Sequence, residues 1–102
     1  MKPYTTPINR FELEDIDTAV IENVRIFYYQ DDEEVLKKEG DDVTIDGALA
    51  VVKLTQEETA LFAMEKIIEM EIEIITYAGE VLKSNIMTEY AKRVLNKEVY
   101  AR

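Results

Sequence analysis

The stretch "KLTQEETALFAMEKIIEMEIEIITYAGE", from Lys53 to Glu80, decides the fold, because it opens with the pattern of a helix and closes with that of a strand. Thr55, Gln56, Glu57 and Glu58 fit a capping box. Thr55 is the N-cap and Glu58 lies three residues on, each satisfying a backbone N–H that the first turn leaves unpaired. Glu57 and Glu58 also set negative charge at the positive end of the helix dipole. From Glu69 the period is two: Met70, Ile72 and Ile74 alternate with Glu69, Glu71 and Glu73, as in a half-buried strand. A single helix from Thr55 to Ile75 would spread the glutamates and isoleucines around its whole circumference. The stretch therefore reads as a strand ending at Leu54, a helical corner near residues 56–63 that plugs the core with Leu61 and Phe62, and a long strand. "LTQEET" is a corner.

The return of the long strand sets a register. With Tyr77-Ala78-Gly79 as a three-residue loop and Gly79 in the left-handed position, Ile74 pairs with Leu82, Glu73 with Lys83 and Met70 with Ile86. Upstream, Val20–Gln30 is dense in β-branched and aromatic residues and reads as a central strand. Val24, Ile26 and Tyr28 share one of its faces, and Arg25, Phe27 and Tyr29 the other. "DDEE" (31–34) turns into a short strand, Val35–Glu39, and Gly40 turns the chain again. "VTIDGALAVVKL" (43–54) is a hairpin with Asp46-Gly47 as a type I′ pair, setting Ile45 against Ala48 and Val43 against Ala50. Leu49 and Val51 then lie on the opposite face with Thr44.

Residues 1–8, with Pro3 and Pro7, read as an extended arm, Asn9–Leu13 as the first strand and 14–19 as a connection. The chain closes with a strand over 86–93 or a helix over 88–95. About seven strands with turn signals every 8–12 residues predict a small antiparallel all-β sandwich, one domain over residues 1–102.

Composition narrows the function. The chain has 102 residues, 12 basic against 22 acidic, a net charge of −10 and no histidine or cysteine. Such a charge disfavours phosphate backbones and anionic membranes and suits solubility or a basic protein partner. No apolar run approaches the roughly 20 residues of a membrane span, and no secretory signal is visible, so synthesis in the cytoplasm is expected. Without His or Cys, the common nucleophile–base pairs and zinc sites cannot be built. Ser84, the only serine, reads as lying inside a strand, a place that gives it no activating base. Three glycines, at 40, 47 and 79, make no phosphate loop. No enzymatic activity and no cofactor are expected. A calcium site would have to join Asp31, Asp32, Glu33 and Glu34 to Asp41 and Asp42, without EF-hand spacing.

The stripe of Glu69, Glu71 and Glu73 stands at about 6.5–7 Å intervals along one strand, relieved at one point by Lys83. It reads as a solvated face or as a docking face for a basic partner. Phe27, Tyr29, Leu49 and Val51 are the apolar candidates for a contact surface.

The order of these elements resembles a family of small proteins encoded in the prophages of Gram-positive bacteria. The shared landmarks are Phe11-Glu12-Leu13 after an arm, a strand closing in Gln30, "DDVTIDG" at Asp41–Gly47, "LTQEET" at Leu54–Thr59, and "VLKSNI" at Val81–Ile86. Together they cover the chain from about Tyr4 to Val99. This chain carries Glu71 and Glu73 where the family's long strand has Gln and Arg. The resemblance implies a non-enzymatic structural or interaction protein serving a virion or its assembly, located in the virion or the cytoplasm, with protein partners that include other virion components or further copies of itself. An acidic inhibitor that mimics nucleic acid and blocks a host DNA-binding enzyme is the alternative.

Overall fold

The computed structural model describes residues 1–13 and 16–100. Of these, 51% are strand, in two antiparallel sheets, and no helix is long, so the all-β expectation holds. The smaller sheet has the order β1 (Ile8–Glu12), β5 (Leu49–Lys53), β4 (Val43–Asp46). In the larger, β2 (Ile21–Gln30) lies between β3 (Glu33–Glu39) and β6 (Lys66–Thr76). The far edge of β6 takes β7 (Val81–Lys83) and then β8 (Met87–Ala91). The body measures 46 × 32 × 17 Å, the thin dimension being that of two packed sheets.

Alternation builds the core. Phe11, Ala50, Val52 and Leu54 of the smaller sheet and its β5 exit face Val24, Ile26, Tyr28, Ile68, Met70 and Ile72 of the larger, all buried in one cluster. Phe62 closes one end, its ring 5.7 Å from that of Tyr28. Tyr28 is fully buried, and its hydroxyl accepts a hydrogen bond from Asn9 Nδ2 at 2.7 Å. Burial pushes its pKa up to about 12, against the opposing pull of the Asn9 bond. Unfolding exposes a phenol of ordinary pKa, which gives up its proton first as pH rises. Stability is therefore whole below pH 10 and should fall by about 2 kcal/mol between pH 10 and 12. A tyrosinate absorbance titration should show one of the six tyrosines ionising only with unfolding; a Tyr28→Phe chain lacking that late step confirms the assignment.

The three-residue loop holds: Ile74 is opposite Leu82 and Glu73 opposite Lys83. Met70, however, faces Met87 and not Ile86. Ser84, Asn85 and Ile86 stand against Glu71 and Ile72, three residues against two, which is a β-bulge. Ser84 holds it together. Its N–H donates to the Ile72 carbonyl and its hydroxyl accepts from the Ile72 N–H, both at 2.9 Å. Thus β7 and β8 form one bulged strand along β6, and the eight strands amount to the seven expected. The helix considered over 88–95 gives way to strand, because β8 completes the edge of β6.

The hairpin at residue 47 also differs from expectation. Asp46 pairs with Leu49, Ile45 with Ala50 and Val43 with Val52, so the loop is Gly47-Ala48. Only Gly47, at φ 58°, takes positive φ there, the sign pattern of a type II′ turn. This register sets Val43 against the buried Val52. The type I′ pattern occurs instead at Asp31-Asp32, with φ of 52° and 63°, joining Gln30 to Glu33. Asp32→Gly should relieve that conformation and stabilise the fold by about 0.5–1 kcal/mol, read as a raised thermal midpoint.

The arm is tied down. Met1 and Pro3 are buried, and the Lys92 N–H donates to the Met1 carbonyl at 2.9 Å. The connection read over 14–19 includes Glu14 and Asp15, which lie outside the described residues; Thr18–Val20, at its end and one residue beyond, form a single 3-10 turn.

Candidate protein-docking face

The "LTQEET" segment is a clasp. The capping box forms on α1 (Gln56–Thr59). Leu54 is fully buried. Gln56 donates to the Tyr4 carbonyl at 3.0 Å and accepts from the Tyr100 N–H at 2.8 Å. Thr59, also fully buried, accepts from the Thr5 N–H and donates to the Thr5 carbonyl. Glu58 adds an ion pair at 2.6 Å to Lys38, an inward-pointing lysine on the edge strand β3. The segment joins the arm, the chain end and the sheet edge, and every residue in it except Glu57 has a structural partner or a core position. Gln30 makes a similar tie, its carboxamide donating to the Ala63 carbonyl and accepting from the Ala63 N–H.

The glutamate stripe lies on the outer face of the larger sheet, where the β2–β6 register sets Arg25 beside Glu73, Phe27 beside Glu71 and Tyr29 beside Glu69. Phe27 and Tyr29 are half-buried, with ring centroids 6.5 Å apart. The stripe is not uniformly solvated. Glu73 is 6% exposed and accepts from Arg25 Nε at 2.8 Å and from Arg25 Nη2, with Lys83 at 3.8 Å. Sequence reasoning anticipated Lys83 but missed Arg25, since the pairing of β2 with β6 is not written in either segment. The Arg25 guanidinium also lies 5.2 Å from the Phe27 ring centroid, a cation–π arrangement.

Leu49 and Val51 are elsewhere. They are half-buried on the outer face of the smaller sheet, flanked by Arg10 and Glu12 on β1 and by Thr44 and Asp46 on β4. The apolar candidates thus occupy opposite sides of the sandwich, and only Phe27 and Tyr29 join the glutamates.

Between β2 and the bulge, a cleft of about 230 Å³ is lined by Tyr29, Asp32, Glu69, Met70, Glu71 and Ile86. A larger opening of about 700 Å³ lies between β1 and β7, over Phe11, Ile72, Ile74 and Leu82. Among the described residues no three carboxylates come together as a metal site, so the acidic turns at 31–34 and 41–42 do not converge on a calcium ion. No helix among them is long and apolar enough to cross a membrane. Comparison of the chain with protein-family models, with curated proteins and with solved structures gives no match.

Proposed function

We propose that this protein is a non-enzymatic interaction module that docks a protein partner on the outer face of the β2–β6 strand pair. One observation carries the reading. The two innermost strands of the larger sheet turn Phe27 and Tyr29, both half-exposed, to the outer face beside glutamates, and among the described residues no second layer of strands lies over them. A half-exposed aromatic surface on rigid, fully paired strands suits binding, because little ordering is needed when a partner arrives. The prophage resemblance directs the proposal to a virion or its assembly. The acidic-mimic alternative is less well supported, since a mimic needs free carboxylates along one continuous face and Glu73 is already neutralised by Arg25 and Lys83.

Mass spectrometry on particles purified after induction, with cross-linking, tests this reading. The chain should be present, with cross-links clustering around Tyr29 and Glu71. A Phe27→Ala/Tyr29→Ala chain should retain its fold and lose incorporation. Salt-sensitive capture of a basic DNA-binding enzyme, with no particle association, would support the inhibitor instead.

A further inference from the structure

We infer that the cleft beside Tyr29 takes an arginine side chain of the docked partner, an inference that rests on the docking role proposed above. The face already contains this unit built from its own residues. Arg25 lies over Phe27 and forks its guanidinium onto Glu73, so cation, aromatic ring and carboxylate stand in adjoining register positions. Along the same two strands the ring and the carboxylates recur as Tyr29, Glu69 and Glu71, and there the cation is missing. Among the described residues neither Glu69, Glu71 nor Asp32 has a cation within ion-pair distance. Glu69 and Glu71 are half-buried, with Ile86 as the apolar side chain beside them.

The geometry selects among cations. The carboxylates do not close into a metal site. An ammonium would find the acids but, as a compact point charge, has no planar face to stack on the ring and no fork for two carboxylates. A planar guanidinium uses both, stacking on the tyrosine ring while donating to the carboxylates, and its aliphatic stem covers Ile86. A partner delivering it would meet an acidic surface on the way in, which speeds encounter.

The test uses two blocked peptides, Gly-Gly-Arg-Gly-Gly and Gly-Gly-Lys-Gly-Gly, titrated into the full chain while amide chemical shifts are followed. The arginine peptide should give saturable shifts confined to Tyr29, Glu69, Glu71 and Ile86, and should bind several-fold more tightly than the lysine peptide. Glu69→Gln/Glu71→Gln should weaken it about tenfold, with an unchanged thermal midpoint showing that the fold is intact. Equal binding of the two peptides, or shifts spread over Asp41 and Asp42, would overturn the inference. Particle cross-links on this face without arginine binding would overturn the cleft and leave the docking role standing. Arginine binding with cross-links on another face would support the cleft and remove the docking role.

Discussion

Glu58→Ala should destabilise the protein by about 3–4 kcal/mol, measured by denaturant unfolding. The side chain does two jobs. Its Oε1 accepts from the Thr55 N–H at 2.9 Å, and its Oε2 holds the Lys38 ammonium at 2.6 Å. Alanine removes half the capping box and strands a lysine whose side chain is only 10% exposed. Losing the cap alone costs about 1 kcal/mol; the unpaired, largely buried charge supplies the rest. Adding Lys38→Met should therefore recover about 2 kcal/mol, because it removes the orphan charge and keeps the aliphatic bulk. No recovery would show that the ion pair matters little and that the cap dominates.

The same residue sets an acid limit. Burial pulls the Glu58 pKa upward, but the hydrogen bonds from Lys38 and Thr55 and the Lys38 charge prevail and hold it below the ordinary glutamate value. A carboxyl depressed by folding contributes stability that is present above its unfolded pKa and is lost as pH falls through the folded one. Stability should thus decline below about pH 4.5, and Glu58→Gln should flatten that decline.

The second large effect is at Arg25, where Arg25→Ala should cost about 3 kcal/mol. It leaves Glu73, with 8% of its side chain exposed, facing only Lys83 at 3.8 Å. It also removes the cation from the Phe27 ring, a smaller loss of about 0.5–1 kcal/mol. Arg25 is itself about one-third exposed, which keeps the cost at the lower end of the range for breaking a buried pair. Combining Arg25→Ala with Glu73→Gln should restore much of the loss, and a double-mutant cycle reads the coupling directly. Additive effects would mean that solvent already screens the pair.

How much of this was legible depends on the range of the interaction. The capping box at Thr55–Glu58, the three-residue loop Tyr77-Ala78-Gly79 and the two-residue period from Glu69 all arise from neighbours in sequence, and all stand in the structure. The register faltered where a residue was added to one strand only. Nothing in "VLKSNI" marks the bulge except that Ser84 can imitate a backbone group, a signal visible only once Ile72 lies opposite. The Gly47 hairpin pairs two residues further along than expected because Gly47 can take either the second or the first position of a two-residue turn, and the choice falls to Val43 meeting Val52 over the core.

For the candidate site the division is similar. The sequence by itself determined which side chains share a face within one strand, since alternation at a period of two is a property of the extended backbone. Phe27 and Tyr29 together, and Glu69, Glu71 and Glu73 together, follow from that alone. Only the tertiary structure decided that these two rows lie side by side, that Arg25 neutralises Glu73, and that Leu49 and Val51 face the other way. Strand order and sheet assignment are settled by which apolar faces bury each other across long sequence separations, and no local pattern encodes that choice.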